Sequence, residues 1–324
     1  MDNQSRGFSL ETFEPQLLFQ AVTGTGFEHR LLKGGPFHGK VTRLQLPHCR
    51  IDQGVYNLPC FARGSFPKGW IVIGFTSCRK QPSWGNGTEI QFHHLQLCSD
   101  GLAFDYRSSP DAAWHAIQVR QDWLQEQAVA ISGREIEIPK QGFQNLSIPL
   151  AFSEMLRDQV DLLFTADEYE PDFQNSRFAA TAELQLIRTA INAIQGVCPV
   201  EAARNETLLK RQAIVACIES FLSERTETAL AVQELIQETG LSEQSLRQLC
   251  GDMYGMPPEK LFGVARMSRI REELLTQRPG TTTVRGLLEK WGIRHSGRFA
   301  AQYRQFFGET PRQTLTRLDQ TNES

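Results

Sequence analysis

Gln244, Arg247 and Gln248 stand within five positions of one another, with Ser245 among them. A glutamine amide can bond adenine through both its donor and its acceptor, and an arginine fork fits the O6 and N7 of guanine. These side chains together can therefore read base edges in a major groove. The spacing works only on a helix, where Leu246, Leu249, Cys250 and Met253 take the opposite, core-facing side. Ser242 is placed to cap the first turn. A second set follows about fifty residues later. If Phe299, Tyr303, Phe306 and Phe307 face a core, then Ser296, Gly297, Arg298 and Ala301 point outward, with Arg304 further along and His295 just ahead. Small residues dominate this face, which suits close backbone approach with phosphate contacts from Arg298 and Arg304; His295 can reach a base or a phosphate.

The elements that must position these residues are one pattern written twice. Each copy has a Gly-apolar turn (Gly240-Leu241, Gly292-Ile293), an apolar helix before it, and an aromatic-Gly-x-x-Pro ending (Tyr254-Gly255 to Pro258, Phe307-Gly308 to Pro311). Helix, short turn and helix make a helix-turn-helix, and a repeat at this period is an architectural signal. Arg266 to Leu275 is read as the helix joining the copies, so that the reading helices enter successive major-groove segments ~34 Å apart. Lys260, Arg266, Arg269 and Arg271 are expected to add phosphate affinity, with Glu272 and Glu273 diluting the last pair.

Charge agrees with this division. The 324 residues carry 34 Lys/Arg and 37 Asp/Glu, a formal net charge of −3, yet Gly240 to Leu318 holds thirteen basic residues against seven acidic. The repeat is thus the basic end of a chain whose remainder is acidic, as a phosphate-binding module requires. The seven cysteines are scattered with no C-x-x-C pair, which reads as reduced thiols in a cytosolic setting. The N-terminus lacks a basic-then-apolar leader and no run reaches the ~18 apolar residues of a membrane span, so a soluble cytoplasmic chain is expected.

Ahead of the repeat the texture changes. After a polar leader with a short helix from Thr12 to Val22, Phe27 to about Pro149 reads as strands and turns. The runs are Lys40 to Leu46, Trp70 to Phe75, His94 to Leu97 and His115 to Val119, punctuated by Gly and Pro clusters. A barrel or sandwich, cupin-like, is expected. Two amphipathic helices follow, one with Met155, Leu156, Val160, Leu163 and Phe164 on its apolar side, the other with Leu184, Ile187, Ile191 and Ile194. They could cover the barrel or pair between subunits. After a Cys198-Pro199 break, Arg204 to Ser223 forms a connecting helix. The barrel aromatics (Phe61, Phe66, Trp70, Phe75, Trp84, Phe92, Phe104, Tyr106) either line an effector pocket or fill a core, and Arg63, Arg107 and His115 are candidates to orient a polar ligand. Adjacent His93-His94 (with Cys98) and His48-Cys49 point to opposite strand faces, so no metal site is expected. No cysteine has a positioned base, and no phosphate-loop or dinucleotide fingerprint occurs; neither catalytic residues nor a cofactor are assigned.

Residues Gly240 to Leu275 and Val284 to Leu315, with the tail Phe299, Tyr303, Arg304, Phe307, Gly308 and Pro311, resemble the DNA-binding domain of the AraC/XylS family of bacterial transcription regulators. The resemblance covers about the last hundred residues. It implies a seven-helix double helix-turn-helix, an N-terminal cupin-like domain that often binds a small effector and dimerises, and control of nearby promoters. By position, base reading falls on Gln244, Arg247 and Gln248, then on Ser296, Gly297 and Ala301. Ile236 and Leu288 stand where the family usually has a small residue. The expected chain is α+β: residues 1–200 a β-rich sensory and dimerisation domain turning helical after about 150, 201–227 a connector, 228–318 an all-α double helix-turn-helix, 319–324 a tail. Its expected partners are double-stranded operator DNA, RNA polymerase, a small-molecule effector and a second copy of itself, with no membrane. Two rival readings are a regulator that senses no ligand and acts through protein partners, and a DNA-targeted enzyme with a catalytic barrel.

Overall fold

The structure, a computed structural model, describes residues 8–12, 15, 18, 27–99, 103–139, 143–170, 173, 176–196, 205–224, 228–277, 282–293 and 295–321. The expected leader helix and the Cys198-Pro199 break fall almost wholly outside them. The chain divides into two compact units. The first comprises Met1–His29 and His38–Lys210; the second comprises Arg211–Ser324 together with Arg30–Phe37.

Twelve strands are described: β1 (Phe8–Thr12), β2 (Phe27–Leu31), β3 (Gly39–Gln45), β4 (Cys49–Tyr56), β5 (Cys60–Ser65), β6 (Trp70–Thr76), β7 (Ser83–Gly85), β8 (Thr88–Ile90), β9 (His94–Cys98), β10 (Ala103–Arg107), β11 (Ala112–Arg120) and β12 (Phe143–Ser147). They form a seven-stranded sheet in the order β1-β3-β4-β11-β6-β9-β12 and a five-stranded one in the order β2-β5-β10-β7-β8. The first strand occupies what reads as leader sequence, because its backbone pairs with β3 from Phe8 opposite Arg43 to Thr12 opposite Gly39.

The run Trp70 to Phe75 is apolar throughout because β6 is covered on both sides. Ile71 and Ile73 belong to the large core shared with the helices, whereas Val72 packs with Cys98 and Phe104. Three helices complete the first unit: α1 (Gln121–Ser132), α2 (Leu150–Tyr169) and α3 (Arg177–Gln195). The first of these lies in a stretch expected to hold only strands and turns; Trp123, Leu124 and Ala128 bury one face of it, and left-handed Gly133 (φ 75°) ends it.

Polar side chains fix the helices to the sheet. Glu183 of α3 is buried and accepts hydrogen bonds from the His48 and Cys49 backbone N–H groups, each at 2.8 Å, while His48 Nδ1 lies 3.0 Å away. The His48 ring stacks on Trp123 at 4.5 Å. Arg157 of α2 donates to the carbonyls of Thr76, Ser153 and Phe92. Burial, and then the neighbouring Arg79, lowers its pKa to about 10.

Two expected core residues are exposed. Met155 on α2 is 46% accessible and Leu184 on α3 is 47%, whereas Leu156, Val160, Leu163, Ile187, Ile191 and Ile194 are buried as expected. One residue is 100° of helix rotation, so Met155, next to buried Leu156, points off the packed face. Leu162 and Tyr169 follow Met155 at intervals of seven and are also exposed.

Helix α4 (Asn205–Glu224) starts before Lys210 and continues in the second unit, whose further helices are α5 (Thr228–Thr239), α6 (Glu243–Tyr254), α7 (Pro258–Thr276), α8 (Val284–Lys290), α9 (Ser296–Phe307) and α10 (Pro311–Thr321). Among the described residues no helix is long and apolar enough to cross a membrane.

Candidate nucleic-acid interface and interior cavity

The sequence repeat is a backbone repeat. Gly240 and Gly292, at the turns before α6 and α9, both take φ 65°, and Gly255 and Gly308, at the ends of these helices, take φ 70° and 77°. A side chain at positive φ costs roughly 1–2 kcal/mol, so glycine at all four places sets the same helix-turn-helix path twice. In the first copy Leu246, Cys250 and Met253 are buried; in the second Phe299, Tyr303 and Phe306 are. The tyrosine in this core donates to or accepts from Thr314 at 2.9 Å.

Gln244, Ser245, Arg247 and Gln248 are exposed on α6, and His295, Ser296, Gly297, Arg298, Ala301 and Arg304 are exposed at and along α9. The two helix starts differ. Ser242 caps α6, its hydroxyl accepting from Ser245 N–H at 3.1 Å. The residue preceding α9, His295, makes no such side-chain bond. With Ser296 and Gly297 next, the first turn of α9 presents backbone donors behind small side chains, the arrangement that binds phosphate oxygens.

Arg247 does not lie loose. It bonds Glu243 at 3.1 Å and Glu259, in the first turn of α7, at 2.7 Å. Gln248 donates to Asp252 at 2.8 Å. All these groups are exposed, where an ion pair contributes only ~0–1 kcal/mol, so a DNA base can replace either carboxylate as partner.

The basic residues of α7 depart from expectation. Lys260 is exposed, but Arg266 is half-buried and donates to the Trp291 carbonyl, while the Arg269 guanidinium lies 5.0 Å from the centroid of the Trp291 ring. Arg271 is 3% exposed and pairs with Glu309 at 2.5 Å. It therefore joins the core rather than adding phosphate affinity. Glu309 also accepts from Thr314 at 2.8 Å, and Arg271 stacks 4.7 Å from the Phe307 ring. The Gly308-Glu309-Thr310-Pro311 tail thus anchors α7 to α9 and α10.

A cavity lies in the first unit, with about 100 Å³ open to the centre of a water-sized sphere. Of the aromatics read from the sequence, Phe66, Phe75, Phe104 and Tyr106 line it; Phe61, Trp70, Trp84 and Phe92 do not. The sequence reading missed Phe27, Tyr56 and Trp114, which do. The Trp114 ring lies across β4 at Gly54, where any Cβ would come within 2.4 Å of the indole. Among the three candidate ligand-orienting residues, Arg63 pairs with Asp105 at 3.6 Å and Arg107 stacks 3.6 Å from the Trp84 centroid, both outside the lining. His115 borders the cavity, but its ring stacks on Phe75 at 4.8 Å and its Nδ1 is 3.5 Å from Ser77 Oγ.

Comparison with known proteins places these features. A family model described as a helix-turn-helix domain matches residues 235–317. The probable thc operon regulatory protein of Rhodococcus erythropolis is 30% identical over 102 residues, 32% of this chain and 31% of that protein. The XylDLEGF operon transcriptional activator 1 of Pseudomonas putida is 29% identical over 97 residues, 30% of this chain and 29% of that protein. The matched stretch spans under a third of either relative. Among solved structures, the AraC-like transcriptional activator CuxR has a TM-score of 0.43 at 16% identity, covering 82% of this chain and 94% of that one. ToxT from Vibrio cholerae, solved bound to an unsaturated fatty acid, has a TM-score of 0.26 at 10% identity, covering 90% and 95%.

Proposed function

Since residues 235–317 form a helix-turn-helix domain of the AraC/XylS kind, we propose that this chain is a cytoplasmic transcription regulator that binds promoter DNA and answers to a small molecule held in its first unit. The observation that carries the reading is the doubled helix-turn-helix with both outer faces exposed and polar. In this reading residues 228–318 are the DNA-binding domain, residues 1–200 the sensory one and 201–227 their connector. Helix α6 reads bases through Gln244, Arg247 and Gln248. Helix α9 anchors, its open first turn and Arg298 and Arg304 holding phosphates while Gly297 and Ala301 allow close approach. No chemical step is needed: an effector that binds one arrangement of the two units better than another shifts their populations.

Pairing of two copies fits the same reading. The exposed Met155, Leu162 and Tyr169 recur every seven residues on α2, a spacing that lays an apolar seam along one side of a helix. RNA polymerase is the expected further partner at the promoter.

The test is selection of bound sequences from a randomised DNA pool by the full-length protein, followed by affinity measurements across salt. Gln244→Ala or Arg247→Ala should relax sequence preference, by about 1–3 kcal/mol at the affected position. Arg304→Ala should weaken all sequences alike and reduce the salt slope by about one. A pool that yields no enriched sequence would overturn the function; equal loss of preference from Ala301→Ser and Arg247→Ala would overturn the division of labour.

A further inference from the structure

The cavity of the first unit carries a statement about what it can hold. On a strand, alternate residues share a face, so Val41 and Arg43 of β3, Asp52 and Tyr56 of β4, Val72 of β6, and Ala116 and Gln118 of β11 look to the same side; all of them line the cavity. Most of its polar groups are engaged with neighbours inside or behind the lining, whereas His115 Nε2 is buried there without a hydrogen-bond partner. Arg43 forks onto Asp52, with Nε 2.7 Å from one carboxylate oxygen and Nη2 3.2 Å from the other. Gln118 donates to the same carboxylate at 2.8 Å, and its amide oxygen takes Arg50 Nη2 at 2.5 Å. Arg50 itself lies outside the lining. Gln96 donates to Asn145 at 2.9 Å and the Tyr106 hydroxyl to Ser83 at 3.0 Å. Thr76 donates to the Ala113 carbonyl at 3.2 Å.

What remains facing the space is chiefly ring and aliphatic surface, with the His115 ring, neutral because burial lowers its pKa to about 3, at its border. Phe66 and Phe104 lie 5.6 Å apart, and Tyr56 meets Trp114 at 6.3 Å. Such walls favour flat ring systems in offset or edge contact. A carboxylate brought here would lose its water without gaining a free cation, since Arg43, the one Lys or Arg that lines the cavity among the described residues, is already paired; desolvation then dominates. The volume suits a small fused-ring molecule, because one water needs only roughly 10–15 Å³ by the same measure.

We propose that the cavity binds an uncharged, chiefly apolar aromatic molecule and excludes carboxylic acids, because Asp52 already occupies its guanidinium. The inference rests on the reading of the first unit as the effector-binding one. It also makes Asp52 the residue that decides ligand charge: remove its carboxylate and the same walls should accept an acid.

Fluorescence titration of the full-length protein at pH 7.5 with 2-naphthol and 2-naphthoate tests it, since the two probes share a ring system and differ in charge. Wild-type protein should bind 2-naphthol saturably and at least tenfold more tightly than 2-naphthoate. Ala116→Phe, which fills the cavity, should abolish naphthol binding. Asp52→Asn should tighten 2-naphthoate at least tenfold. Because that variant leaves Arg43 buried without its carboxylate and can fail to fold, the double variant Arg43→Met/Asp52→Leu provides a second reading: with both charges gone, 2-naphthoate should still bind at least tenfold more weakly than 2-naphthol to that variant, and equal affinities would overturn the role given to the Arg43 guanidinium. Naphthoate binding as tightly as naphthol to wild-type protein, with Ala116→Phe blocking both, would overturn the exclusion of acids and leave the effector reading standing. No saturable binding of either probe would overturn the cavity as a ligand site, and the effector reading with it.

Discussion

Replacing Glu309 with alanine should show how the second helix-turn-helix is held. The carboxylate sits in the turn between α9 and α10, 10% exposed, and the Arg271 guanidinium it meets at 2.5 Å is 4% exposed. Removing one partner of a pair this deeply buried leaves an uncompensated charge and costs about 3–5 kcal/mol; the Thr314 hydroxyl also loses the acceptor it has at 2.8 Å. A typical domain has only about 5–15 kcal/mol of stability to lose, so the thermal midpoint of the helical unit should fall by on the order of 10–20 °C. Urea unfolding of the full chain, followed by far-ultraviolet circular dichroism and by DNA affinity, reads the effect in two ways. The double variant Arg271→Met/Glu309→Leu should recover most of the stability, since apolar residues of similar volume often replace a buried pair without loss. A loss below about 1 kcal/mol for Glu309→Ala, the range of a surface pair, would refute the anchoring role.

Two further outcomes are expected. Burial, and secondarily Arg157, lowers the His115 pKa to about 3. The folded state therefore binds fewer protons than the unfolded one, whose histidine titrates near 6.5. The contribution is complete above that value and is lost as pH falls toward 3, by about 1.4 kcal/mol per pH unit. Buried His29, its pKa lowered to about 4, adds a slope of the same sign, so urea titrations at pH 7, 6 and 5 should show a slope in wild-type protein that His115→Phe reduces by about this amount; an unchanged slope in the variant would remove His115 as a cause. Leu162→Glu should convert a dimer to a monomer in analytical ultracentrifugation without lowering the thermal midpoint, and a dimer that survives it would exclude the Met155–Leu162–Tyr169 seam as the contact.

The double helix-turn-helix is legible because its signals are local. Gly240, Gly255, Gly292 and Gly308 mark positive φ in the sequence itself, and the stripes Leu246/Cys250 and Phe299/Tyr303 follow from helical spacing alone. What escapes is set by distant partners. Nothing near Arg271 in sequence distinguishes it from Arg269, yet Glu309 draws only Arg271 inward. Met155 and Leu184 have the residue types of core positions, but which flank of an amphipathic helix is covered depends on the neighbour. The cavity lining escapes for the same reason: Tyr56 and Trp114 come together only through the pairing of β4 with β11, and the space for the indole is made by the missing side chain of Gly54. The helix α1 is missed because its short apolar face, Trp123, Leu124 and Ala128, sits directly after a nine-residue strand.

On the proposed base-reading role of Arg247, its clasp bears on how such a protein would search a genome. While Glu243 and Glu259 hold the guanidinium, the chain touching a wrong sequence keeps its phosphate contacts but has little to gain from the bases. A guanine that matches both N–H donors replaces carboxylates already at bonding distance, each of these exposed pairs costing at most about 1 kcal/mol to break. On that reading non-cognate DNA would be held by phosphate contacts alone and left sooner than a matching site. Selectivity on this account comes partly from the protein's own acids, which set the threshold a base must exceed before the reading side chain changes partners.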